Sequence, residues 1–261
     1  MRADKYFAEK YGSRTKSAQA IERGLVLVNG KTVLPKDEIK ATDEITFITP
    51  KESFVSNGGY KLERALNVFS FDCKNKIFAD IGASTGGFTD CLLQHSAKKV
   101  YAIDVGESLL HPSLLSNDKI VIMENTNARY LEKDSFLDTL DGVVTDVSFI
   151  SLKYIFPTIA RILKANGDAF VLIKPQFECE NKNIGKSGIV HSSAHVKIVK
   201  KVIGYANENG LYPFGIVNAP IRKGKNIEYV LHCKPTYEGA STNKEIENTV
   251  ERFIQTKQTE G

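Results

Sequence analysis

Between positions 77 and 231, short apolar runs recur at intervals that often leave room for one helix, and this alternation restricts the possible folds most. Strands are expected at 77–81, 100–103, 120–123, 142–145, 169–173, 211–217 and 227–231, with helices at 88–94, 154–163 and 194–207. A run such as Ala169-Phe170-Val171-Leu172-Ile173 is apolar at every position, so both faces of that strand must be covered. The pattern predicts an α/β fold: a doubly wound, mainly parallel, Rossmann-like sheet of seven strands. No helix separates the last two strands, which should therefore pair antiparallel at one edge. A terminal amphipathic helix is expected over 243–255. Ahead of the sheet, Asn57-Gly58-Gly59 should break regular structure before a helix over 61–69. The expected division is a small α+β module at 1–50, a linker at 51–60, the sheet domain at 61–240 and a helix or tail at 241–261.

The 261 residues suffice for one large core and one small appendage. No apolar run approaches the ~18 residues needed to cross a bilayer. Met1-Arg2-Ala3-Asp4-Lys5 has no apolar stretch behind it, so no signal peptide and a cytoplasmic location are expected. Cys73, Cys91, Cys179 and Cys233 are far apart and form no CxxC pair; they read as small buried apolar residues, and no metal site is expected.

In the first module, Asp4 is expected to cap a helix carrying Tyr6, Phe7 and Tyr11 that Gly12 stops. Ser13 or Thr15 then starts a second helix, ended by Gly24. Asn29-Gly30 is a hairpin turn signal between the strands 25–28 and 31–33, and a further strand follows at 45–48. Arg2, Lys5, Lys10, Arg14, Lys16, Arg23 and Lys31 stand against Asp4, Glu9 and Glu22, a balance of +4 that equals the net charge of the whole chain. The pattern from Gly12-Ser13-Arg14-Thr15-Lys16 to Val28-Asn29-Gly30-Lys31 resembles the S4-like RNA-binding domain. That resemblance implies RNA contact through backbone and shape, with Arg2, Lys5, Arg14, Lys16, Arg23 and Lys31 as the candidate residues.

Rossmann-like sheets bind ligands at the carboxyl ends of their strands. After the first strand comes Asp80-Ile81-Gly82-Ala83-Ser84-Thr85-Gly86-Gly87-Phe88, which is neither GxGxxG nor a phosphate loop ending in lysine. Such a loop suits a ligand without pyrophosphate, where bare backbone approaches an amino-acid moiety. Asp104, at the end of the second strand, can accept both hydroxyls of an adenosine ribose. Together they point to S-adenosylmethionine. The fourth strand ends in Thr145-Asp146-Val147-Ser148-Phe149 and the fifth in Lys174-Pro175-Gln176-Phe177-Glu178. Lys174 emerges from an apolar run, where desolvation favours the neutral amine, so an acid and a base on adjacent strand tips suggest a general-base site for an alcohol.

These motifs, with Ser56-Asn57-Gly58-Gly59-Tyr60-Lys61-Leu62 before them and Lys225-Asn226-Ile227-Glu228-Tyr229 after, occur in an order that resembles the haemolysin A (TlyA) family over residues 1 to about 234. Its members are ribosomal-RNA ribose 2′-O-methyltransferases with an S4-like domain before an FtsJ-type domain. The resemblance implies a Lys-Asp-Lys-Glu tetrad at Lys61, Asp146, Lys174 and Glu228, with Lys174 accepting the proton, Asp146 orienting it, and Lys61 and Glu228 holding the ribose. It implies cofactor contacts from Asp80, Gly82, Ala83, Ser84, Thr85, Gly86, Gly87, Asp104, Val105, Asn127 and Asp146, and no metal. Asn127 stands where relatives commonly carry aspartate, and Asn57 replaces a frequent arginine. The expected partner is ribosomal RNA or a ribosomal subunit, bound by a monomer or weak dimer. The alternatives are a catalytically weak assembly factor, a small-molecule methyltransferase and an indirect haemolysin-like activity.

Overall fold

The computed structural model describes residues 1–22, 25–29, 31–33, 35–47, 53–220 and 224–259. Arg23, Gly24 and Gly30, and the side chain of Lys31, lie outside the described residues. The chain divides into two compact units, Met1–Ser53 and Phe54–Gly261.

In the first unit, helices α1 (Ala3–Tyr6), α2 (Ala8–Tyr11) and α3 (Arg14–Glu22) accompany a sheet of β1 (Val26–Val28), β2 (Lys31–Thr32) and β3 (Ile45–Phe47). β1 is central and antiparallel to both neighbours. Ala3, Phe7, Ile21, Val26, Val28 and Ile39 form its small core. The expected single first helix is broken at Phe7. Asp4 caps nothing; its carboxylate takes Arg2 at 3.0 Å and Arg14 at 2.9 Å, because two guanidinium groups within reach satisfy more of its lone pairs than one backbone N–H would. Gly12 closes α2 in the left-handed conformation, and Ser13 Oγ accepts the Lys16 N–H at 3.2 Å in the opening turn of α3.

The second unit opens with α4 (Asn57–Val68), followed by β4 (Ile77–Ile81), α5 (Gly87–Gln94), β5 (Lys99–Ile103), β6 (Ile120–Met123) and β7 (Leu140–Thr145). Then come α6 (Phe156–Ile162), β8 (Leu163–Ile173), α7 (Pro175–Glu178), α8 (His195–Glu208), β9 (Tyr212–Asn218), β10 (Tyr229–Lys234) and α9 (Asn243–Thr259). The seven strands lie in the order β6-β5-β4-β7-β8-β10-β9. β4 to β8 run parallel, and β10 is antiparallel to both β8 and β9. This is the doubly wound, Rossmann-like sheet with an antiparallel edge.

The period-2 alternation of each strand divides its side chains between two cores. Ile77, Ala79, Ile81, Val143, Val171 and Ile173 face α6, α8 and α9 through Phe156, Ile159, Val199, Ile203 and Val250. Phe78, Val144, Phe170, Leu172 and Val230 face α4 and α5 through Leu62, Leu66, Phe88 and Leu92. Side chains of this size each contribute roughly 1.5–3 kcal/mol when removed from water, so both layers hold the sheet. Among the described residues no helix is long and apolar enough to cross a membrane. Three of the four cysteines are buried; Cys179 is only half-buried, because it follows a one-turn helix at the surface.

Two expectations need correction. Asn57-Gly58-Gly59 does not break the chain but forms the first turn of α4: Ser56 Oγ accepts the Gly58 N–H at 3.3 Å, and first-turn amides need no helical acceptor. Glycine at 59 is required there because a Cβ would overlap the Phe54 ring. The last strand begins at Tyr229 rather than 227, so Glu228 stands just before it, with its carbonyl accepting the Ala219 N–H at 2.8 Å.

Candidate active site

The loop between β4 and α5 lies at the carboxyl end of the sheet, where the strand order turns outward from β4 to β5 on one side and β7 on the other. Its backbone is fixed from the neighbouring strand: the Gly82 and Ala83 N–H groups both donate to the Ile103 carbonyl, at 2.8 and 3.0 Å. Gly86 has φ 88°, and a Cβ there would strike Leu110 and Leu114, so two independent constraints select glycine. Asp104 follows β5 and accepts the Ser84 N–H at Oδ2 and the Gly106 N–H at Oδ1, each at 2.9 Å. A carboxylate oxygen offers about two acceptor sites, so each keeps one for a further donor. Val105, beside it, is 69% exposed.

Asp80 has no exposed surface, and its Oδ2 accepts the Thr89 hydroxyl at 2.7 Å. Its Oδ1 is buried without a partner. Burial pushes this carboxyl up from 3.8 to about 7, and the Asp146 and Asp104 carboxylates act in the same direction. A cleft of about 150 Å³ is lined by Ser56, Gly82, Ser84, Phe88, Asp146 and Lys174, among others. An unpaired buried carboxylate oxygen, an exposed apolar Val105 and an Asp104 carboxylate with acceptor sites to spare, around bare backbone, fit the sulfonium nucleoside that the loop suggests.

Four charged side chains meet beside this cleft, each from a different element. Lys174, at the tip of β8, pairs with Asp146 Oδ1 at 2.5 Å and donates to Ser148 Oγ at 2.7 Å. Asp146, after β7, reaches Lys61 Nζ from its other oxygen at 3.5 Å. Lys61, in the second turn of α4, pairs with Glu228 at 2.8 Å. The run Lys174–Asp146–Lys61–Glu228 is thus a continuous line of ion pairs with alternating sign. Lys174 is 9% exposed, so Asp146 and Ser148 rather than bulk water surround its Nζ.

Asn127 is used locally: its Oδ1 accepts the Arg129 N–H at 3.1 Å and Arg129 Nε at 3.3 Å. Arg2 and Arg14 are tied to Asp4, whereas Lys5 and Lys16 are exposed. Three further residues stand out that the sequence reading quoted without a role. Ser148 contacts Lys174. Phe149, in the left-handed region at φ 62° and 90% exposed, lies 5.0 Å from the Phe177 ring. Glu178 is buried and joins the two loops, accepting Ser151 Oγ at 2.8 Å and the Leu152 N–H at 2.7 Å, and burial raises its carboxyl. A left-handed non-glycine residue and a buried carboxylate are both products of the fold, and no local sequence signal marks them. Among the described residues no cluster of three or more His, Cys, Asp or Glu could hold a metal ion.

Residues 54–236 match the FtsJ-like methyltransferase family, and residues 1–45 match the S4 domain. Hemolysin A from Brachyspira hyodysenteriae is 42% identical over 238 residues, covering 89% of this chain and 99% of that protein. The 16S/23S rRNA (cytidine-2'-O)-methyltransferase TlyA from Mycobacterium tuberculosis is 35% identical over 246 residues, 93% of this chain and 92% of its own. A solved structure described as a hemolysin from Streptococcus thermophilus superposes with a TM-score of 0.74 at 36% identity, covering 100% of this chain and 98% of that one.

Proposed function

Given that the chain belongs to the FtsJ-like methyltransferase family and, with its S4 domain, to the hemolysin A (TlyA) group, we propose that it methylates ribose 2′-hydroxyls of ribosomal RNA. The observation that carries this reading is the line of ion pairs Lys174–Asp146–Lys61–Glu228 beside the glycine-rich cleft. S-adenosylmethionine, the donor the cleft fits, supplies a methyl group already activated for displacement by an oxygen. Asp104 would hold the donor's ribose hydroxyls, and Gly82, Ala83, Ser84, Thr85, Gly86 and Gly87 would let it approach the backbone, with Val105 against the adenine; Asp80, wholly buried, would act on it through its charge alone.

A ribose hydroxyl does not ionise near neutrality, so the protein must place its oxygen and remove its proton. Lys174, as the free amine, takes that proton at Nζ. Asp146 fixes the direction of Nζ. Lys61, held between Asp146 and Glu228, donates to the ribose and keeps both carboxylates from competing for Lys174. Placement supplies a large part of the barrier reduction, up to ~7–11 kcal/mol in favourable cases. RNA is held by Lys5 and Lys16 on the first unit, assisted by Arg2, Arg14, Arg23 and Lys31, and the 2′-hydroxyl itself distinguishes RNA from DNA. Asn127 accepts the adenine amino group only if Arg129 releases its oxygen.

The test is transfer of labelled methyl from S-adenosylmethionine to purified bacterial ribosomal subunits, followed by alkaline hydrolysis. A ribose methylated at O2′ cannot attack its phosphate, so the label should appear in alkali-resistant dinucleotides. Label in mononucleotides means base methylation and refutes the ribose assignment; no label in any subunit favours the assembly-factor alternative.

A further inference from the structure

Lys174 Nζ is surrounded by few groups: Asp146 Oδ1 at 2.5 Å, Ser148 Oγ at 2.7 Å, the Asp146 carbonyl at 3.5 Å and the face of Phe177 at 6.0 Å. The carbonyl and the ring have no proton to exchange, and the carboxylate is held on its other oxygen by Lys61. Ser148 differs in chemistry and in place. A hydroxyl both accepts and donates. Both residues line the cleft, but Ser148 is exposed and Lys174 is only 9% exposed. The left-handed turn at Phe149 follows immediately and sets the direction of this short segment.

We propose that Ser148 is a positioning residue that orients Lys174 and conducts its proton to water, a role that rests on Lys174 being the proton acceptor. In each turnover the ribose O–H bond breaks, the O–CH3 bond forms, the S–CH3 bond breaks and Lys174 gains a proton. Lys174 then passes one N–H proton to Ser148 Oγ as the serine's own proton moves to a water molecule. The net step is ammonium plus water giving amine plus hydronium, with serine unchanged. No oxidant or further reactant is needed.

The experiment measures methyl transfer to purified bacterial ribosomal subunits by the full-length wild type, Ser148→Ala, Ser148→Thr and Lys174→Ala. Ser148→Ala should lower kcat by at least about tenfold, while KM for subunits and Kd for S-adenosylmethionine stay within about twofold. Imidazole added at constant pH and ionic strength should restore kcat in Ser148→Ala in proportion to its concentration and leave wild type unaffected. Ser148→Thr, which keeps the hydroxyl, should retain most activity. A normal kcat in Ser148→Ala, or a loss that imidazole does not relieve, overturns the relay. Lys174→Ala separates the two ideas. Normal turnover by Lys174→Ala removes the base itself and the relay with it; an inactive Lys174→Ala beside a normal Ser148→Ala removes the relay alone.

Discussion

Replacing Asp80 by Asn tests the electrostatics of the cleft without touching a proton-transfer group. The carboxyl is wholly buried, has the Thr89 hydroxyl on one oxygen and nothing on the other, and burial holds it at about 7 against an ordinary 3.8. Between those values the folded protein keeps a proton that the unfolded chain has lost. By linkage, stability must fall as pH rises through this window, by about 1.4 kcal/mol per pH unit at the steepest and about 4 kcal/mol in total. Above pH 7 the penalty is fully present; below the unfolded value it is absent. Asparagine keeps the shape, can still accept from Thr89 and does not ionise. Urea unfolding of the ligand-free full chain, followed by circular dichroism from about pH 4 to about pH 8, should therefore show Asp80→Asn gaining on wild type as pH rises. The gap should reach roughly 2–4 kcal/mol at the alkaline end. Parallel stability curves would falsify the argument, because they would mean that Asp80 carries the same charge in both states throughout.

Three other outcomes follow from the same geometry. Lys174→Arg should fold and bind S-adenosylmethionine yet transfer methyl at least ~100-fold more slowly, since guanidinium keeps its proton; near-normal single-turnover rates would leave Lys174 a charge clamp only. Asp104→Ala removes the acceptor for Ser84 and Gly106 as well as for the donor's ribose, and charge-assisted bonds of roughly 1.5–3 kcal/mol each predict at least a tenfold loss of S-adenosylmethionine affinity by calorimetry. Lys5→Ala with Lys16→Ala should weaken RNA binding and flatten its salt dependence by about one unit of log–log slope per lysine, with cofactor affinity unchanged; an unaltered slope by filter binding would place the RNA elsewhere.

The central sheet was readable because its strands are apolar on both faces and close to five residues long. Their edges were less so. β8 extends back to Leu163 because Leu140 offers it a partner, and β10 starts only where Tyr229 can pair with Ile173. Both boundaries are set by neighbours far away in sequence. Asp146 and Lys174 could be picked out because each is a charge directly after an apolar run. Lys61 and Glu228 carry no such mark, sitting on an amphipathic helix and in a loop, and only the family resemblance pointed to them. The first turn of α4 is hard to read for a related reason: two glycines look like a break, yet here they let the helix start pack against Phe54. Asp4 looks like a cap in the sequence because Arg14, its second partner, lies ten residues on.

The strand order also sets a timetable. Protein chains emerge from the amino end, and units fold as they are completed. The S4 unit is finished by Ser53, long before the pairs among Lys61, Asp146, Lys174 and Glu228 can form. Among the described strands β9 pairs only with β10, which is synthesised after it and lies between β9 and β8 in the finished sheet. Glu228 immediately precedes that last strand. The closing of the sheet and the arrival of Glu228 beside Lys61 are therefore one event, and a chain cut short between Ser53 and that point holds a complete S4 unit without the full line of ion pairs.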